Sequence, residues 1–238
     1  MEENGGDPIL WHIMRYYAAF GFRQFAVALG YKGDFIKRYA TDFAALSAGS
    51  LRIDYSRRQV EYGPRGNDEW SMEGWSLELV ETGLATNTGG RIKRLRDVIG
   101  GNRFMLTWGD GVSNVDLRKL LEFHKAHGKL ITLTAVRPPA RFGHLELDGD
   151  QITNFDEKPQ TGEGWINGAF FVCEPKVFDY IEGDDTQFER EPLQNLAKDG
   201  QLMAYRHQGF WQCMDTLRDK VLLEKLWANG QAPWRVWT

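Results

Sequence analysis

An α/β fold with a mostly parallel sheet is predicted by three observations. Short apolar runs alternate with segments of helical period, glycines punctuate the ends of the runs, and no repeat or low-complexity tract interrupts the order. Asp7-Pro8 reads as a helix start, with Asp7 capping, Pro8 in the first helical position and Gly21 at the end. Ile9, Leu10, Ile13, Met14, Tyr17 and Phe20 give that helix one broad apolar face. Residues 25–29 read as a strand, and after Gly30-Tyr31-Lys32-Gly33 a second helix carries Phe35, Ile36, Tyr39, Phe43 and Leu46. Strands and a hairpin are expected over 51–81, then a helix near 89–99, a strand over 104–108, a helix over 116–127 and a strand over 130–136.

After Pro138-Pro139 the pattern changes. Residues 143–155 read as a hairpin turning at Asp148-Gly149-Asp150, and 165–172 as a strand. Short helices begin near Pro175 and Glu189, and a helix over 216–227 closes the chain. With no linker in view, residues 1–238 are expected to form one domain, the last third adding to the same sheet.

Composition narrows the function. A net charge of −4 and a pI near 5.8 provide no general basic field for nucleic acid. The local exception, Arg91-Ile92-Lys93-Arg94-Leu95-Arg96, reads as a helix start able to bind an anion. Cys173 and Cys213, both read in apolar surroundings, make no metal motif and suit reduced thiols. No stretch approaches the length of a membrane span and no signal peptide is present, so a cytoplasmic protein without a membrane partner is expected. The five histidines (12, 124, 127, 144, 207) are scattered and form no metal triad; His12, on an apolar helix, reads as structural, as do Met14, Tyr16, Tyr17 and Phe20.

Two segments carry the chemistry. Thr107-Trp108-Gly109-Asp110-Gly111-Val112 and Phe210-Trp211-Gln212-Cys213-Met214-Asp215-Thr216 each hold one aspartate in an apolar frame. Asp110 follows a buried strand, and the carboxyl ends of strands are where open α/β sheets bind ligands. Gly109 and Gly111 let the backbone turn sharply and approach a ligand. Two carboxylates converging there, with waters and substrate phosphates completing the shell, are how Mg²⁺ is usually held. Taken singly, each aspartate also reads as a turn or helix-cap residue.

Further motifs occur in order: Pro8-Ile9-Leu10-Trp11-His12-Ile13-Met14, Thr88-Gly89-Gly90-Arg91, Phe155-Asp156-Glu157-Lys158-Pro159, Ile166-Asn167-Gly168-Ala169-Phe170-Phe171 and Met214-Asp215-Thr216-Leu217-Arg218-Asp219. With the aspartate segments, they make the whole chain closely resemble the sugar-phosphate nucleotidyltransferases. Phe123-His124-Lys125-Ala126-His127-Gly128 and Ala232-Pro233-Trp234 look like the cytidylyl branch, which joins CTP and glucose 1-phosphate into CDP-glucose and releases diphosphate. The resemblance implies a three-layer α/β/α nucleotide-diphospho-sugar transferase fold, a mixed and mostly parallel sheet, and a homo-oligomer. It also implies a place in deoxysugar synthesis for surface polysaccharide. Residues 60–78 are a candidate oligomer contact.

By that resemblance Asp110 and Asp215 would hold Mg²⁺, and Lys158 would carry the sugar phosphate as a compact charge. Glu157 and Asn167 would bind glucose hydroxyls, with Gly109 and Gly168 allowing close approach. Arg91, Thr86 and Thr88 would meet the nucleotide. The structural readings stand beside these: a helix cap for Asp215, a surface lysine for Lys158, a turn for Asn167, a bulge for Gly168, and burial for Trp211. Family members begin with a buried strand and a Gly-Gly-x-Gly-Thr-Arg-Leu loop, then Pro-Lys-Pro-Met, before the Pro-Ile-Leu-Trp-His helix. This sequence starts just before that helix. The first strand and glycine-rich loop are therefore expected to be missing, with neighbouring strand edges unpaired and turnover low. The alternatives left open are a non-catalytic sugar-phosphate- or nucleotide-binding paralogue and a uridylyl- or thymidylyltransferase.

Overall fold

A computed structural model describes residues 3–4, 7–63, 74–138, 144–148, 151–156 and 164–237. Two short strands, β1 (Glu3–Asn4) and β2 (Asp7–Pro8), pair ahead of helix α1 (Ile9–Ala19). Pro8 is itself the extended N-cap, at φ −66° and ψ 149°, so Asp7 lies one residue too early to cap. Instead its carboxylate accepts from the Tyr39 hydroxyl at 3.5 Å. Gly21 ends the helix as expected. At φ +94° it adopts a conformation open to glycine, and its N–H donates to Ala18 O while that of Phe22 donates to Tyr17 O.

Strand β3 (Gln24–Leu29), helix α2 (Gly33–Ser47), the hairpin β4 (Ser50–Asp54) with β5 (Gln59–Gly63), and β6 (Ser76–Glu81) follow. β3 and β6 pair in parallel. Next come α3 (Thr88–Arg94), α4 (Arg96–Ile99), β7 (Phe104–Thr107), β8 (Gly111–Ser113), α5 (Leu117–His127) and β9 (Ile131–Val136). Asp116 caps α5 by accepting from the N–H groups of Arg118 and Lys119. Strands β10 (His144–Asp148) and β11 (Gln151–Asp156) pair antiparallel, Asp148 opposite Gln151. The chain ends with β12 (Ile166–Cys173), a 3₁₀ turn at Pro175–Tyr180, α6 (Glu191–Lys198), β13 (Leu202–His207), β14 (Trp211–Cys213) and α7 (Leu217–Ala228).

The four-stranded sheet has the order β13-β9-β12-β7. β13 and β9 are parallel, while β12 runs against both β9 and β7. Three of its strands thus point one way, and the last third of the chain does join this sheet. Among the described residues β3 pairs with β6 and β7 with β12, and no strand joins these two pieces of sheet.

Alternation along β12 explains the three layers. Phe170 and Val172 face a core made with Ile13, Tyr16 and Tyr17 of α1, Leu117 and Leu120 of α5, and Leu223 of α7. Phe171 and Cys173 face a second core made with Ile92 of α3, Val177 and Phe178 of the 3₁₀ turn, and Leu193 and Leu196 of α6. A strand buried on both faces reads as a continuous apolar run, and helices on both sides give α/β/α. His12 is fully buried among Trp11, Trp227 and Trp234, in keeping with a structural role.

Candidate functional site

β7, β9 and β13 share a direction, so Thr107, Val136 and His207 end at one edge of the sheet, and antiparallel β12 begins there with Ile166 and Asn167. Beyond this edge β8 and β14 pair antiparallel, with Val112 opposite Gln212 and Gly111 opposite Cys213. The ladder continues one step further, the Met214 N–H donating to Asp110 O at 2.8 Å. Pairing between two chain-distant strands thus brings Asp110 beside Met214-Asp215.

Asp110 feels the charge of Asp215. Asp110 reaches solvent, yet the protein packed around it raises its carboxyl above the usual carboxylate range, and the Asp215 charge adds to the rise. Among the described residues neither forms an ion pair with a lysine or arginine. Asp215 is not the helix cap: Thr216 caps α7, and Asp219 closes a reciprocal capping box with it. The surroundings of Cys213 differ from the apolar setting expected of it. Its thiol donates to Asp215 Oδ2 at 3.2 Å. Burial, that hydrogen bond and the charges of Asp215, Asp219 and Asp110 push its pKa up to about 12, so it stays protonated.

The glycines act differently from expectation. Neither Gly109 nor Gly111 has a positive φ, so the turn does not demand glycine, and what remains is the open space around Gly109. Gly168 is the position that does require it: a Cβ there would lie 2.7 Å from Val136 Cγ1 and 2.9 Å from Thr134 O. The register against β9 shifts between Asn167 and Phe171, and Asn167 Oδ1 accepts from the Ala169 N–H at 2.8 Å. The turn and bulge readings of these two residues therefore both hold. Trp211 Nε1 donates to Gly168 O at 2.8 Å, tying the bulge to the strand that leads to Asp215.

The loop after β6 and the start of α3 lie at the carboxyl ends of β3 and β6. Arg91 turns inward, donating to Leu29 O at 3.0 Å, Thr82 Oγ1 at 2.7 Å and Leu84 O at 3.4 Å. Thr88 Oγ1 donates to Glu189 and accepts from the Phe188 N–H. Thr86 is buried, packed close to Gly83 and Gly90. Lys93 donates to the carbonyls of Ile181 and Glu182, and Arg94 pairs with Asp184. Lys93 and Arg94 therefore clamp the 181–184 stretch while Arg91 ties down the ends of β3 and β6, and these three charges sit in the last turn of a seven-residue helix and not at its start. No described contact joins this loop to Asp110 or Asp215. Glu157 and Lys158 lie outside the described residues.

Sequence reasoning missed Gln212 and Asp219. Gln212, 5% exposed, donates to Cys213 O and to Asp219 Oδ1. The Thr216-x-x-Asp219 spacing is a capping-box signal that was available in the sequence; nothing local marks Gln212.

An α/β/α architecture with two neighbouring carboxylates at the carboxyl edge of its sheet defines a ligand-binding class of α/β protein. The nucleotidyl transferase family model matches residues 4–219, and the chain belongs to that family. It is 46% identical over 239 residues to glucose-1-phosphate cytidylyltransferase of Salmonella typhi, spanning all of this chain and 90% of that protein. It is 43% identical over 234 residues to a probable glucose-1-phosphate cytidylyltransferase of Bacillus subtilis, spanning 98% of this chain and 89% of that one. The crystal structure of HddC from Yersinia pseudotuberculosis shares the fold at a TM-score of 0.67 and 20% identity, covering 95% of this chain and 88% of that one.

Proposed function

We propose that this nucleotidyltransferase moves a cytidylyl group from CTP to glucose 1-phosphate, yielding CDP-glucose and diphosphate. The observation that carries the reading is the Asp110–Asp215 pair at the carboxyl edge, set in a chain 46% identical to a glucose-1-phosphate cytidylyltransferase. An oxygen of the sugar phosphate attacks the α-phosphorus in line. That oxygen is already nucleophilic, so positioning and charge neutralisation carry the catalysis and no general base is required.

The donor set suits Mg²⁺. Both ligands are hard carboxylate oxygens, and the charge of one already disfavours ionisation of the other, a conflict that a divalent cation offsets. No group of three or more metal-ligating side chains occurs among the described residues, so Asp110 and Asp215 would hold the ion together with non-protein ligands. When bound, the ion neutralises developing charge on the phosphates. Lys158 holds the sugar phosphate, while Glu157, Asn167 and Gly168 meet the glucose. We assign Arg91 and Thr88 to shaping the nucleotide-side loop, with Thr86 packed beneath it, because the donors of Arg91 and the hydroxyl of Thr88 are already engaged.

The same reading places the protein in the cytoplasm, supplying CDP-glucose for deoxysugar synthesis, and as a homo-oligomer. Leu51, Ile53, Val60 and Tyr62 share one face of the β4–β5 hairpin and are each 45–47% exposed, which supports self-association there.

Diphosphate release from CTP, UTP and dTTP with glucose 1-phosphate and Mg²⁺ tests the activity and the base. CTP is expected to be preferred, and Asp110→Asn or Asp215→Asn to lower turnover by about 10²–10³-fold, the usual cost of losing one preorganised electrostatic group. Wild-type rates in both variants would end the metal assignment.

A further inference from the structure

The segment carrying Asp215 is two residues long, Met214-Asp215, between the end of β14 and the cap of α7. Its amino side is held by the Met214 N–H on Asp110 O. Its carboxyl side is held by Asp219, which accepts from the Thr216 N–H at 3.0 Å and the Thr216 hydroxyl at 2.8 Å. Across the two runs the carboxamide of Gln212, buried on β14. Its nitrogen has two hydrogens and spends them on Cys213 O at 2.8 Å and Asp219 Oδ1 at 3.0 Å.

Asp219 therefore takes three donors, from Thr216 twice and from Gln212. A carboxylate so engaged keeps little capacity for a cation, although it lies close enough to Asp215 for both to act on the Cys213 thiol. What it does instead is fix the angle at which the chain leaves β14 and enters α7. Asp215 sits at that corner, and the Cys213 thiol donates to one of its two oxygens, leaving the other unengaged by any described donor.

We propose that Gln212 and Asp219 form a latch that positions the Asp215 carboxylate for the divalent cation, with the Cys213 thiol orienting its second oxygen. The inference rests on the reading of Asp110 and Asp215 as the cation ligands. Gln212 and Asp219 touch neither the substrate nor the ion; they act through Asp215. An ordinary helix cap would need only Thr216 and Asp219. The buried amide that links that cap back to the strand is what a positioning role adds.

The test is Mn²⁺ binding to the full chain, followed by electron paramagnetic resonance of the free ion, in wild type, Gln212→Leu, Asp215→Asn and Leu223→Ala. Leu223 is a fully buried residue of α7 that takes no part in the latch, so its variant loses stability without loosening the corner. Gln212→Leu is expected to weaken Mn²⁺ binding by about 10- to 100-fold, the range for residues that orient a metal ligand, while Leu223→Ala, at a temperature where it stays folded, binds as wild type does. The Mg²⁺ concentration giving half-maximal turnover should rise in parallel. Loss of binding in Asp215→Asn with wild-type binding in Gln212→Leu would overturn the latch and leave the metal reading standing. Equal losses in Gln212→Leu and Leu223→Ala would also overturn it, reducing Gln212 to a stability residue. Wild-type binding in Asp215→Asn would remove the metal reading itself, and the latch with it.

Discussion

Replacing Thr132 by valine should expose how much of this fold depends on one hydroxyl. The Lys129 N–H donates to His127 Nδ1 at 2.9 Å, so the neutral His127 ring carries its proton on Nε2. That N–H donates to Thr132 Oγ1 at 2.6 Å, and the hydroxyl in turn donates to His124 Nδ1 at 2.8 Å. His124 is then left with Nε2–H, which donates to Glu174 Oε1 at 3.2 Å, beside the Arg103 Nε donor at 2.6 Å. One backbone donor sets the direction of the whole chain. Thr132 is fully buried and His124 nearly so, so water does not replace what valine removes. Two hydrogen bonds at about 0.5–1.5 kcal/mol each, plus about 1–3 kcal/mol for an unpartnered buried ring nitrogen, sum to about 2–6 kcal/mol. For a chain of this length that is a fall in Tm of about 4–24 °C. Urea unfolding and calorimetry at pH 7.5 measure it, with Thr132→Ser, which keeps the hydroxyl and gives up one methyl, expected to cost only about 1 kcal/mol. A Thr132→Val protein within about 0.5 kcal/mol of wild type would refute the hydrogen-bond chain and the tautomers derived from it.

The same chain sets a pH dependence. Burial holds both His124 and His127 below the usual histidine range, so their contribution is fully present above the unfolded value and lost as pH falls through the folded ones; the urea midpoint should therefore rise from pH 5 to pH 7.5, and a flat profile would contradict it. Asp110 works in the opposite sense, since a raised carboxyl costs stability as pH rises through its folded value, so the profile is best compared in Asp110→Asn, where the histidine trend should steepen. Arg91→Met should cost about 1.5–3 kcal/mol, because it removes a charged donor from the buried Thr82 hydroxyl and from Leu29 O, the latter keeping the N–H and hydroxyl of Thr82. An unchanged Tm with a raised KM for CTP would instead place Arg91 on the nucleotide.

Periodicity and punctuation made most of the fold legible. The apolar runs at 25–29, 104–108, 130–136 and 165–172 became β3, β7, β9 and β12 within a residue or two, because each packs buried or half-buried apolar side chains and is bounded by a turn. The errors are local and physical. Asp7 misses its cap because proline can be the extended N-cap as readily as the first helical residue. Arg91, read as an anion ligand from its place after two glycines, points into the protein, where three oxygens of the β3 and β6 ends lie within reach. Cys213 reads as apolar beside Trp211 and Met214, yet its thiol turns to the carboxylate of Asp215, two residues further on. Gln212 has no local signal because its bonds to Cys213 O and Asp219 form only once the chain turns from β14 into α7.

What separates a chemical carboxylate from a structural one here is how much of its acceptor capacity is already spent. Asp116 accepts two backbone N–H groups and caps α5. Asp184 is held by the Arg94 guanidinium through both oxygens. Asp219 takes three donors from the corner it stabilises. Each lies in a sequence setting as suggestive as that of Asp110 or Asp215, and motif logic alone ranks them poorly. Asp110 and Asp215 differ in being placed side by side, at the edge where the strands end, with little of their acceptor capacity spent: the Cys213 thiol donates to Asp215, and Asp110 receives its own backbone N–H. Two like charges brought together without a compensating cation destabilise the empty site, and β-pairing of β8 with β14 enforces that proximity at the expense of the fold. Such a cost is retained where a ligand offsets it. On this argument Asp110→Asn should stabilise the unliganded protein at neutral pH while abolishing the response to divalent cation, a pairing of effects that a purely structural aspartate would not produce.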